Sequence, residues 1–125
     1  MANLRLSAKG DKYLEEIRAE LDIDRPSALR LAFAKGIASE TRPNEEKRPM
    51  PTREFPSSVI AKGKEMTLIK HLMINKLRRK IEEEEVENYI LIFVEHGLEE
   101  MYKEIQQISD ADNYLFYLLD KHQIG

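Results

Sequence analysis

Seven cationic side chains, Lys62, Lys64, Lys70, Lys76, Arg78, Arg79 and Lys80, fall in a short stretch that holds a single carboxylate, Glu65. Lysine ammoniums meet phosphate oxygens as point charges, releasing counterions without reading bases. The stretch therefore points to the backbone of a polyanion, with Lys62, Lys64, Lys70 and Lys76 as its contacts. Arg78 to Lys80 lie directly before Glu82 to Glu85, an order that adjoining helix ends favour in any protein, so this run counts for less. No aromatic residue interleaves with the lysines, which speaks against a platform for stacking single strands.

Catalytic chemistry finds little to work with. The histidines His71, His96 and His122 are scattered, with Asn75 and Glu100 where a second imidazole would complete a helical metal pair. Glu82 to Glu85 form a contiguous run, the composition of a solvated helix start, and do not make a pair facing across a cleft. There is no cysteine, which removes thiolate zinc sites, disulfides and a thiol nucleophile. No phosphate-cradling glycine loop, serine-nucleophile motif or dinucleotide fingerprint occurs. The pattern is that of a binding protein and not an enzyme, with no metal and no cofactor expected.

A chain of 125 residues with 42% hydrophobic and 34% charged side chains supports one domain with its own core. The net charge of -3 conceals a split: residues 1–80 carry eighteen Lys and Arg against eleven Asp and Glu, and residues 81–125 carry two against twelve. The basic part suits a polyanion and the acidic part a solvated face or a basic partner. The longest apolar run, Ile90 to Val94, is far short of a membrane span of about 20 residues. With no cysteine and no apolar leader, a cytoplasmic location and no membrane contact are expected.

The elements that must hold these groups follow from spacing. Asn3 to Ser7 alternates polar and apolar as a short strand, with Leu4 and Leu6 on one side and Asn3 and Arg5 on the other. Ser7 stands as N-cap to a helix over Ala8 to Leu21, with Tyr13, Leu14, Ile17 and Leu21 on its inner face. Asp24 caps a second helix whose first turn takes Arg25 and Pro26, and whose stripe is Leu29, Ala32, Phe33 and Ile37. Its small residues Ala28, Ala32, Ala34, Gly36 and Ala38 allow another helix to come close. Residues 41–63 form a connector that holds four of the five prolines between Thr41 and Pro56, a stretch no helix can occupy, with Met50 and Phe55 as anchors. A third helix is expected over about Glu65 to Lys80, with Ile69, Leu72, Met73 and Leu77 inward. The fourth begins in the glutamates and runs through Val86, Tyr89, Ile90, Phe93, Val94, Leu98, Met101, Tyr102 and Ile105. A last helix, Ala111 to Lys121, is capped by Ser109 or Asp110. It is apolar on every side, which requires burial or pairing. The expected fold is mainly α: a short N-terminal strand and a compact bundle of about five helices in a single domain, with a strand-helix-helix part (1–40), the connector (41–63) and the C-terminal helices (64–125).

The opening strand, helix, capped turn and helix resemble a ribbon-helix-helix half, in which two copies pair strands and interlock helices. That resemblance implies obligatory dimers, Asn3 and Arg5 turned toward a major groove, and phosphate contact at Arg25 and Ser27. A transcription regulator of this kind is one alternative function. An adaptor whose last helix docks a partner protein is another.

Asn3-Leu4-Arg5-Leu6-Ser7 with Lys9 to Leu21, Ala28-Leu29-Arg30-Leu31-Ala32, and Phe93-Val94-Glu95-His96-Gly97-Leu98 on a long helix, in this order and spacing, resemble the DndE family of the bacterial DNA phosphorothioation system. The resemblance runs from about residue 3 to residue 105. It implies an accessory, non-enzymatic role in replacing a non-bridging phosphate oxygen with sulfur, alongside a cysteine desulfurase, a sulfur-transferring enzyme and an ATPase. It also implies a homotetramer that binds double-stranded DNA, nicked duplex favoured, through surface lysines. With the charges read above, the candidate DNA contacts are Lys62, Lys64, Lys70, Lys76, Arg5, Lys9 and Arg25.

Overall fold

A computed structural model of the chain describes residues 3–46, 51–108 and 117–121. Its order is β1 (Asn3–Ser7), α1 (Ala8–Leu21), α2 (Arg25–Ala38), β2 (Pro51–Pro56), α3 (Lys64–Leu77) and α4 (Val86–Gln107), with 3-10 turns at Ser57–Val59 and Glu83–Glu85. Residues 117–121 are also helical. The molecule is mainly helical, as expected.

Local chemistry sets the boundaries. The Ser7 side chain accepts from the Gly10 N–H and caps α1. The Asp24 carboxylate does the same for Ser27 in α2, with Pro26 in the first turn, where a missing N–H leaves no helical bond unmade. Both α1 and α3 end on a left-handed residue, Asp22 and Arg78, the conformation that turns the chain away from the axis. At the start of α4, Glu82 and Glu85 form a reciprocal capping box, so the glutamate run is an exposed helix entry, as its composition indicated.

The core is built around α4, which is buried almost without interruption from Tyr89 to Met101. Its tightest neighbour is α2. A Cβ on Gly97 would stand 1.7 Å from the Ala32 carbonyl oxygen and one on Gly36 2.2 Å from that of Phe93, so the two backbones touch where small residues were predicted. Beside the crossing, Phe33 and Phe93 pack edge to face at 6.2 Å. Leu14 and Ile17 of α1 and Leu6 of β1 close the same core. Full burial of a side chain the size of Phe93 contributes about 2–3 kcal/mol.

Three expectations are corrected. Within the connector, residues 51–56 form a strand, β2, that pairs antiparallel with β1, Leu4 opposite Phe55 and Arg5 opposite Glu54. Prolines 51 and 56 sit at its two ends, where a missing donor is tolerated. Phe55 is buried, as an anchor should be; Met50 lies outside the described residues. Because the partner of β1 belongs to the same chain, the ribbon is intramolecular and a ribbon shared between copies receives no support. On α3, Met73 and Leu77 are buried, but Leu72 is exposed. Of the last helix, the cap at Ser109 or Asp110 lies outside the described residues; Leu118 is buried and Leu119 exposed.

Candidate nucleic-acid interface

Helix α3 carries Lys64, Lys70 and Lys76, with Lys62 just before it and Arg78, Arg79 and Lys80 just after it. Met73 and Leu77 fix one face inward, and the N-terminal lysines Lys62 and Lys64 stand exposed at the opposite end from Arg78, Arg79 and Lys80. The Lys62 backbone N–H donates to the Glu65 carboxylate at 3.3 Å, but neither the Lys62 nor the Lys64 ammonium makes an ion pair among the described residues. Lys70 is half-buried and bonds Glu83. The Lys76 ammonium turns inward to the Ser39 carbonyl and ties α3 to the end of α2. Two of the four lysines read as one basic set are thus engaged within the molecule.

The other three candidates belong to different elements. Arg5 projects from β1 and pairs with Glu54 directly across the ribbon. Lys9 is exposed, its ammonium 5.7 Å from the Tyr13 ring centroid, and Tyr13 in turn stacks on Tyr102 at 4.1 Å. Arg25 reaches Glu15 at 3.3 Å, a carboxylate it shares with Arg18. Nothing in the hydrogen bonding joins these three to the lysines of α3 among the described residues.

At the C-terminal end of α3 the surface is concave. One cavity of about 290 Å³ has an apolar floor that includes Ile74, Ile81 and Val86 and a polar rim of Thr67, Lys70, His71, Lys80 and Glu83. A second, wider depression adjoins it through Ile74 and Lys80 and is completed by Asn75, Arg78 and Arg79. Arg79 is held by Glu45 at 2.6 Å and lies over the Tyr89 ring, and the Tyr89 hydroxyl donates to the same Glu45 carboxylate.

Glu95, His96 and Gly97 are three successive residues of the motif, of which the sequence singled out His96 alone, as a histidine with no second metal ligand in helical register. A step of one residue turns a helix by about 100°, so each of the three meets a different element. The Glu95 carboxylate, buried, takes the backbone N–H of Ser7 at 2.7 Å and its hydroxyl at 3.0 Å. Gly97 meets α2. His96 Nε2 lies 3.0 Å from the Thr41 hydroxyl and 3.3 Å from that of Ser39, and both hydroxyls donate to Glu100 at 2.9 Å. Burial pushes the Glu100 carboxyl up, but the Thr41 and Ser39 hydroxyls and the neighbouring His96 and Lys103 outweigh it and hold the group below its ordinary value.

A hydroxyl beside an imidazole is also how nucleophilic sites begin. Here the two hydroxyls also face the Glu100 carboxylate, each at 2.9 Å, and one another at 2.9 Å, so their protons have acceptors other than Nε2 of His96. The group works as a clasp between the end of α2 and α4. Two further charges missed by sequence reading make the buried pair Lys35–Glu104 at 2.7 Å between the same helices. Only the position of Lys35 one residue before Gly36, next to the close helix crossing, signalled its burial.

No group of three His, Asp or Glu that could hold a metal occurs among the described residues; His122 lies outside them. No helix among them is long and apolar enough to cross a membrane. Compared with known families, residues 3–109 match the model for DndE, described as DNA sulphur modification protein DndE. A search of the curated proteins finds no match.

Proposed function

From membership of the DndE family, to which this chain belongs and through which it has a role in DNA sulphur modification, we propose that the protein's part in that process is to hold duplex DNA by its phosphate backbone. It acts as a non-enzymatic component beside the sulfur-transferring enzyme and the ATPase that carry out the chemistry. The observation that carries this reading is the family match together with the cations at the start of α3, Lys62 and Lys64 above all, whose ammoniums stand exposed with no ion pair among the described residues. Lys9 adds to them from α1. Lys70, Lys76, Arg5 and Arg25 contribute only where a phosphate displaces the partner each now has, so they are the weaker contacts.

The working unit is a homo-oligomer, a tetramer by family resemblance. Repetition of a modest patch by symmetry multiplies the number of phosphates met. The ribbon-helix-helix regulator is the weaker reading, because β1 pairs within the chain and the outward Arg5 is neutralised by Glu54.

The test is titration of intact and nicked duplexes of unrelated sequence at two salt concentrations, with the mass of the protein in solution measured alongside. Binding that ignores sequence, weakens steeply with salt and favours the nicked duplex is the expected result. Absence of binding at low salt would overturn the reading and leave the basic surface to a partner protein.

A further inference from the structure

Four basic groups end α3 or abut it at its C-terminus: Arg78, Arg79, Lys80 and, one turn earlier, Lys76. In most helices such groups answer the partial negative charge of the last carbonyls. Here other groups do that work. The Ile74 carbonyl accepts from the Arg78 backbone N–H at 2.7 Å, and the Leu77 carbonyl accepts from the Arg42 guanidinium, which reaches over from the segment after α2. Lys76 has left the helix end for the Ser39 carbonyl. The side chains of Arg78 and Lys80 are therefore not spent on the helix terminus.

Nor are they neutralised elsewhere. Lys80, 81% exposed, has only a long 3.5 Å approach to its near neighbour Glu82. The Arg78 side chain has no ion pair or hydrogen bond among the described residues. It also occupies a left-handed position, φ 57°, which glycine adopts without steric cost and a residue with a Cβ does not. Both residues line the depression beside Asn75 and Arg79, which opens onto the cavity rimmed by Lys70, Thr67 and His71. A wide, shallow, donor-rich groove with an apolar floor suits an extended polyanion better than an enclosed small molecule.

We propose that this groove is a second phosphate seat, in which Arg78 and Lys80, assisted by the Asn75 amide, take the phosphodiester backbone of duplex DNA. The assignment rests on the DNA-holding role proposed above and adds a place to it. Helix α3 is about 21 Å long, a length over which duplex DNA presents on the order of six phosphates per strand. Lys62 and Lys64 at its start and Arg78 and Lys80 at its end are thus two anchor points for one duplex lying along it. The Lys70–Glu83 pair borders the seat with a carboxylate that is 83% exposed, so an arriving phosphate can replace it at little cost in desolvation.

The experiment compares three full-length proteins on one intact duplex across a salt series: the unaltered chain, Arg78→Gly with Lys80→Gln, and Lys12→Gln with Lys103→Gln. The last pair removes the same charge from α1 and α4. Arg78→Gly keeps the backbone conformation, and thermal melting of each variant checks that it folds. Loss of two phosphate contacts lowers the slope of log affinity against log salt by about 1.8, and this is expected for Arg78→Gly with Lys80→Gln alone. Equal slopes in the two variants would overturn the seat while leaving DNA binding in place. No binding by the unaltered chain at low salt would overturn the DNA-holding role, and the seat with it.

Discussion

The carboxylate of Glu95, on the fourth helix, accepts both the backbone N–H and the hydroxyl of Ser7, eighty-eight positions earlier. Ser7 in turn caps the first helix through Gly10. One buried anion thus fixes the end of β1, the start of α1 and the middle of α4. Replacing Glu95 with Ala strands two buried donors, and a loss on the order of 3 kcal/mol is expected. Glu95→Gln keeps one carbonyl acceptor and should lose less. Ser7→Ala, which removes the cap but not the carboxylate, should cost about 1 kcal/mol. Urea unfolding of the three variants checks the order; equal losses would contradict it.

The crossing of α2 and α4 sets a second expectation. Gly97→Ala puts a methyl group into the Ala32 carbonyl, and Gly36→Ala puts one into that of Phe93. Neither obstacle is a flexible side chain that could swing away. Each variant should lose about 3 kcal/mol or more, or fail to fold. Gly63 is the contrast, with open space around it and φ at 55°. Gly63→Ala should cost about 1–3 kcal/mol from backbone strain alone, since φ 55° with ψ -124° lies outside the left-handed helical region. Thermal melting of the three would separate close packing from conformation.

Arg78→Gly should leave the fold intact or raise stability by up to about 1 kcal/mol, since the side chain has no partner among the described residues and the backbone there is left-handed. A clear drop in melting temperature would show that the guanidinium supports the fold.

Acid should weaken the molecule through two carboxyls. The Ser27 hydroxyl and N–H hold Asp24 below its ordinary 3.8. Burial pushes Glu100 up, but the hydroxyls of Thr41 and Ser39 and the nearby His96 and Lys103 bring it below 4.5. A carboxyl with a lower pKa in the folded state contributes stability above its unfolded pKa and loses it as pH falls through the folded value. Stability should therefore hold from neutral pH down to about 5 and decline below that. Glu100→Gln should be less stable at pH 7 and show a shallower decline in acid. A pH series of urea midpoints for both proteins tests it.

Helix boundaries were legible in the sequence because they are decided locally. Ser7, Asp24 with Pro26, and the Glu82–Glu85 box each act within a turn, and the small residues of α2 announced the close approach of another helix. What escaped the sequence depends on partners far along the chain. The strand at 51–56 exists because β1 lies beside it, and its prolines hid it. Nothing local marked Glu95 and Lys35 for burial, because their partners, Ser7 and Glu104, lie at a distance in sequence. For the same reason the basic set on α3 looked uniform, although the structure gives Lys70 to Glu83 and Lys76 to the Ser39 carbonyl. Lys62 and Lys64 were legible as exposed cations because the one carboxylate beside them, Glu65, takes the Lys62 backbone N–H and forms no ion pair with either ammonium among the described residues.

Glu95, His96 and Gly97 fasten α4 to the start of α1, to the exit from α2 and to the body of α2, so the first part of the chain lacks its main packing surface until the fourth helix exists. During synthesis, residues 3–46 leave the ribosome well before α4, and β1 before β2. Until then the apolar faces of α1 and α2 stay uncovered and the Ser7 donors remain in water. Folding must therefore wait for the last third of the chain and close its longest loops late, which makes it slow for a helical protein of this size. A nascent chain stalled before residue 86 would be protease-sensitive throughout, and protection should arrive in one step once α4 has emerged.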